Sequence, residues 1–215
     1  MFYELVCPKD VRQGEKKKDL DMITVNLNVV FINIVTESDT VQSGWNKGSL
    51  SKLVNETNKV WQQAKIRFAI VQTSSRSLQL PGSSTSAVIN EAGFFFLQSK
   101  VAPTGRITVG LVYQVASKLT AGMATIGGRF TVQPHRGIGE NYKPLALAHE
   151  LGHILGLKHV SREQLTSTSP RTQLSATSNL MTPGIIRSKP LLTTPQIDIV
   201  TAAAKKRQPT TRGLR

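Results

Sequence analysis

Cys7 is the only cysteine among 215 residues, so no intrachain disulfide can form and the redox compartment stays undecided. Long hydrophobic runs are missing as well. The longest apolar stretch, "ITVNLNVVFINIV" from Ile23, is broken by Asn26, Asn28 and Asn33, and is too short and too polar to span a bilayer. The opening residues, "MFYELVCPKDVRQGEKKKD", have neither a basic-then-apolar order nor a small-residue cleavage site. Both an intracellular protein and a mature or truncated exported one fit that reading, with the exported form preferred. Internal repeats are absent. Acidic residues are scarce, 13 against 27 basic ones, for a net charge of +14. Such a charge favours acidic partners, a nucleic acid, an anionic glycan or a membrane surface, and says nothing about fold. The plainer reading is a soluble basic surface with a solvated tail.

What remains is ordinary for a globular protein: 39% apolar and 19% charged residues, which excludes disorder throughout. The length suits one domain, large enough for a real core and for two lobes around a cleft. From Ile23 to Val35 apolar residues alternate at Val25, Leu27, Val29 and Phe31, the period of a strand. "GSLSKLVNETNKVWQQAKI" carries Leu50, Leu53, Val54, Val60, Trp61 and Ala64 at helical spacing, with serines available as N-cap. "RFAIVQTS" (67–74) reads as a second strand, "AVINEAGFFFLQSK" as a helix, and "RITVGLVYQV" (106–115) as a central strand covered on both faces. Two short strands follow in "GMATIGG" and "RFTVQ", then a helix from about Lys143 to Leu155. Residues 161–180 read as an irregular loop, and "TTPQIDIVTAAAKKR" as a closing helix with Pro195 in its first turn. This order predicts an α/β (α+β) domain with a mixed sheet.

Three of the four histidines stand in "AHELGHILGLKH" (148–159). On a helix His149 and His153 project from one face, so both imidazoles can reach one cation. Glu150 lies next to that face, where its carboxylate can sit beside a metal-bound water. Gly156 can take the left-handed conformation that ends a helix, which lets His159 swing back as a third nitrogen donor. Three protein ligands with one open position describe a catalytic zinc site. The full spacing H-E-x-x-H-x-x-G-x-x-H arises by chance on the order of once in a few hundred thousand such chains.

His149, Glu150, His153, Gly156 and His159 match the signature of the metzincin zinc peptidases, and the chain resembles that clan. "SNLMTPG" places Met181 where the clan has its Met-turn, 22 residues beyond His159. "GMATIGGRFTVQ", Met181-Thr182-Pro183 and "LTTPQIDIVTAAA" are similar to features of the reprolysin (adamalysin) and matrixin branches. Two departures stand against them: Val160 replaces the usual Asp or Ser, and reprolysin disulfides cannot form. Pro183 stands where astacins and serralysins have tyrosine, so their extra tyrosine ligand is not expected.

The resemblance implies a metzincin-like catalytic domain with a mixed, mostly parallel twisted sheet, an active-site helix and a small C-terminal lobe. Residues 1–22 would be an N-terminal arm, a candidate pro-segment remnant. Residues 23–215 would form a single catalytic domain: an upper lobe to about 156, a lower lobe over 157–206 and a basic tail over 207–215. One catalytic Zn2+ would be held by His149, His153 and His159. Glu150 would act as general base towards a zinc-bound water, cleaving a protein or peptide substrate inside the chain. Gly122, Met123, Ala124 and Thr125 would bind substrate along an edge strand, and Ile185 and Ile186 would line the pocket beyond the scissile bond. Arg187 and His135 read as solvent-facing, Cys7 as a free thiol, and the molecule as a monomer. The alternative is a basic polyanion-binding module with an inactive or structural zinc site.

Overall fold

Alternation in the first apolar stretch builds the strand that the rest of the sheet is laid against. The computed structural model describes residues 22–81, 87–102, 105–116, 121–160, 178–184 and 190–208. β1 (Ile23–Val35) buries Ile23, Val25, Leu27 and Val29 on one face, as the pattern predicts. Its other face is buried too, through Val30, Ile32 and Ile34, while Phe31 is only half-buried. A strand between two cores explains why "VVFINIV" is more apolar than simple alternation requires.

β3 (Ile66–Gln79) runs parallel to β1 along one edge, with a register shift at Leu27/Asn28. It extends beyond the 67–74 expected, because pairing to β1 continues to Val35↔Gln79. The other edge of β1 is shared: β5 (Ile107–Val112) pairs with Leu27–Phe31, and β2 (Thr40–Val41) with Ile34 and Val35. β8 (Phe130–Pro134) lies parallel to β5, and β7 (Met123–Ala124) antiparallel to β8 at the edge. The sheet order is therefore β3-β1-β5-β8-β7, mixed and mostly parallel as expected. β5 is buried at every residue, but it ends at Val112. Gln114–Val115 forms a separate strand, β6, paired with β4 (Val88–Ile89), so residues 106–115 are not one strand.

Among the described residues four α-helices flank the sheet. α1 (Lys47–Trp61) is capped not by a serine but by Asn46. The Asn46 side chain accepts from the Ser49 N–H at 2.9 Å while Ser49 Oγ accepts from the Asn46 N–H at 3.0 Å, a reciprocal capping box. α2 (Glu91–Val101) starts later than its periodicity suggests, because Val88 and Ile89 are taken by β4 and Asn90 caps the helix through the Gly93 N–H. Its three consecutive phenylalanines cannot share a direction on a helix. Phe94 is buried, Phe95 exposed and Phe96 between. α3 (Lys143–Ile154) carries the histidine motif, and α4 (Thr194–Lys206) opens on a Thr193–Gln196 capping box with Pro195 in its first turn.

The first core joins α1, α3 and α4 to one sheet face, together with Leu180, Met181 and Leu192. The second joins α2, through Phe94, Leu97 and Val101, to the other. Among the described residues no helix is long and apolar enough to cross a membrane. Phe130, fully buried on β8, meets Phe94 with ring centroids 5.3 Å apart and so ties α2 to the sheet. Phe130→Ala is expected to cost about 3–5 kcal/mol. A urea titration should show this as a lower midpoint with unchanged slope.

Candidate metal centre

His149 and His153 point from one face of α3, and each is oriented by a backbone carbonyl. His149 Nδ1 donates to the Leu180 carbonyl at 2.7 Å, and His153 Nδ1 donates to the Leu157 carbonyl at 2.8 Å. A carbonyl only accepts, so both rings carry their proton on Nδ1 and turn a bare Nε2 lone pair inwards. Gly156, at φ +95°, ends the helix as the spacing predicts. The Leu157 N–H bonds the Gly152 carbonyl and the Gly156 N–H bonds the His153 carbonyl, each at 2.9 Å, which makes a Schellman turn. The chain then reverses, and His159 Nε2 arrives 3.1 Å from both His149 Nε2 and His153 Nε2.

All three ligand atoms lie within 4.8 Å of one another. Two of these nitrogens have no proton to share, so mutual hydrogen bonding cannot satisfy the group, whereas a cation can. Nitrogens at zinc's bond lengths in a tetrahedral site are about 3.3 Å apart, close to the spacing seen. Burial, reinforced by the neighbouring His153 and His159, pulls the His149 pKa down to about 4, and burial lowers that of His153 as well. Both rings are thus neutral donors at physiological pH.

The segment after the third histidine is sewn to this helix. Besides the Leu180 carbonyl on His149, the Met181 carbonyl accepts from the Val160 N–H at 3.1 Å. Val160 therefore meets Met181 through its backbone while its side chain packs on the first core. Met181 is fully buried against α3 at Gly152: a Cβ there would stand 2.6 Å from its sulfur. Asn179, not anticipated from sequence, holds this turn. Its side chain accepts from the Met181 N–H at 2.8 Å and pairs with the Gln196 amide of α4.

Glu150 is 8% exposed, and burial pushes its pKa up to about 8. It packs so close to the edge strand that a Cβ on Gly122 would lie 2.7 Å from its Cγ. A cleft of about 380 Å³ is lined by Gly122, Met123, Ala124 and Thr125 together with Glu150, His153 and His159. The four edge residues expected to meet substrate thus do border the site. Ile185, Ile186, Arg187 and Cys7 lie outside the described residues. Glu91, Phe94 and Phe95 also line the cleft. No local pattern announces them, because α2 reaches the cleft only through the sheet.

Two expectations are corrected. His135 lies in a loop as expected but is only half-exposed: its ring stands edge-on to Trp45, 5.6 Å between centroids, with Nδ1 buried. It directly follows β8, and its N–H bonds the Val112 carbonyl at the end of β5. Arg207, expected as the first residue of a solvated tail, donates to the carbonyls of Gly127, Gly128 and Ile154 at 3.0–3.2 Å. It joins the end of α4 to the edge-strand loop and to the end of α3, which the Gly127 N–H also meets at the His153 carbonyl.

The buried carboxyl makes a pH signature in metal-free protein. With its folded pKa raised from 4.5 to about 8, folded Glu150 retains a proton that the unfolded chain releases across that window. Stability from this group is therefore present below pH 4.5 and lost as pH rises towards 8. His149 acts oppositely, losing stability as pH falls from 6.5 towards 4, but equally in wild type and in Glu150→Gln. In chelator, the melting temperature of Glu150→Gln minus that of wild type should grow as pH rises from 4.5 to 8; a flat difference would sink this account.

No curated protein matches the chain by sequence. Among solved structures it is similar to metalloproteinase-II from Bacteroides fragilis, at 15% identity and a TM-score of 0.51. That likeness covers 85% of this chain and 53% of the other, so the chain spans about half the length of the metalloproteinase, and it speaks to the fold. A chaperone-substrate complex also aligns, at 15% identity and a TM-score of 0.47 over 87% of this chain and 35% of that one, too loosely to bear on the fold. The family model described as "Metallo-peptidase family M12B Reprolysin-like" matches residues 82–207. This match takes in α2, the edge strand, the histidine helix and α4, more than half of the chain, which therefore belongs to the reprolysin-like metallopeptidases.

Proposed function

We propose that the protein is a zinc endopeptidase of the metzincin type, with one zinc on His149, His153 and His159, Glu150 as proton carrier and Met181 as the Met-turn methionine. The observation that carries this reading is the convergence of three imidazole nitrogens beside a buried carboxyl, with His153, His159 and Glu150 opening onto a cleft bordered by a sheet edge. A zinc ion, when bound, supplies Lewis acidity and a hydroxide source near neutral pH.

The remaining work falls to the chain. Among the described residues β7 pairs with β8 alone, so its other edge can take an extended peptide as an added strand. Leu180 and Leu157 hold the His149 and His153 rings through Nδ1, so ligand geometry does not have to be organised during binding. The carboxylate of Glu150 accepts a proton from the attacking water as the C–O bond to the peptide carbonyl carbon forms. It returns that proton to the amine nitrogen as the C–N bond breaks.

The net charge of +14 keeps a second reading in play, a polyanion-binding module whose zinc site is inert. A purely structural site has no use for a carboxylate held next to an open cleft, and this disfavours it. Salt-dependent binding to polyanions by zinc-loaded protein that cleaves nothing would reverse the preference.

Glu150→Ala should retain zinc by metal analysis and lose casein and peptide cleavage by about 10²–10⁴-fold. His159→Ala should lose the metal, and chelator should abolish wild-type cleavage. Undiminished cleavage by Glu150→Ala would overturn the assignment.

A further inference from the structure

The two residues of β7 face different surroundings. Ala124 packs on the core that contains Leu147 and Leu151 of the metal-holding helix, whereas Met123 packs on the core that contains Phe94 of α2. A peptide laid along the free edge of β7 continues its pleat, so its side chains alternate between these two sides. On the α2 side, Glu91 and Phe95 line the same cleft as Glu150, His153 and His159. They are four residues apart on one helix and both exposed, so they share a face.

Three properties set this pair apart. Glu91 has no cationic partner among the described residues. Among the described residues it is the one carboxylate lining the cleft other than the buried Glu150, in a chain of net charge +14. Phe95 leaves half of its surface to solvent although α2 has a core to bury it in. A carboxylate in the first turn of α2 complements the helix dipole wherever that helix points. The dipole does not explain an exposed phenyl ring one turn later, facing the same cleft. A carboxylate beside an aromatic face is a receptor for a cation on an aliphatic stem. The charge pairs with the acid, while the stem and the cation lie on the ring.

We propose that Glu91 and Phe95 form a specificity subsite for a basic substrate side chain, arginine or lysine, on the α2 side of the bound peptide. This rests on the peptidase reading above. The subsite reverses, over a few ångströms, the preference for acidic partners that the net charge sets at long range. Guanidinium fits best, because it can bond the carboxylate through two N–H groups while lying flat on the ring.

The test uses zinc-loaded full-length protein and a peptide series with Arg, Ala or Glu at each position around the cleaved bond. Wild type should favour Arg over Ala in kcat/KM at one position, with neighbours one residue away indifferent. Glu91→Gln should lower that Arg/Ala ratio by about tenfold, in the range of a single pocket contact. Glu91→Lys should turn the preference towards Glu at the same position, a reversal that loss of folding cannot mimic. Phe95→Ala should lower the Arg/Ala ratio less than Glu91→Gln, and Glu56→Gln, remote from the cleft, should leave it unchanged. Cleavage with no basic preference, or a preference indifferent to residue 91, would overturn the subsite and leave the peptidase reading standing. No metal-dependent cleavage of any peptide would overturn both.

Discussion

Two hydrogen bonds from imidazole to backbone, His149 Nδ1 to Leu180 and His153 Nδ1 to Leu157, are the constraint on which the site depends. Each decides which ring nitrogen carries the proton, and so which one is left to bind a cation. They also make the site a product of three chain segments. Leu157 lies on the turn that Gly156 makes possible, and Leu180 on the turn that Asn179 fixes and α4 supports. If either turn moved, a ring would be free to rotate even with the histidine helix intact.

Close approach of backbone elements holds these segments together. Gly152 admits the sulfur of Met181 to the surface of α3, and Gly122 admits Glu150 to the edge of the sheet. In both places a methyl group would fall within 3 Å of the neighbour. The first contact seats the helix on the turn below it, and the second sets the carboxyl against the strand proposed to receive substrate. Burial at that contact has an electrostatic consequence: the carboxyl loses solvent and its proton affinity rises. Arg207 closes the arrangement from the far end of the chain, giving one guanidinium to three carbonyls of the edge loop and the helix end.

Most elements were legible from periodicity, and the histidine motif from spacing alone. Alternation marked β1, helical spacing marked Leu50, Leu53, Val54 and Trp61, and an unbroken apolar run marked β5. The misread strand bounds fell where a partner strand decides. Gln114 and Val115 continue the pattern of β5 but pair with β4, and β3 runs on because β1 offers it a ladder. Propensity is a local quantity, whereas a ladder needs a neighbour that the local pattern does not name.

The residues of the motif by themselves determined the centre. Helical pitch puts His149 and His153 on one face, and a glycine three residues later permits the reversal that brings His159 back. Only the tertiary structure decided what surrounds it: the Leu180 carbonyl that selects the His149 tautomer, the amide pair that holds the Met181 turn, the burial of Glu150, and the presence of Glu91 and Phe95 on the same cleft. The physical reason is range. Ligand spacing is set by a few bonds of one helix and its cap, while desolvation, ring orientation and cleft lining depend on segments many residues apart meeting across the sheet.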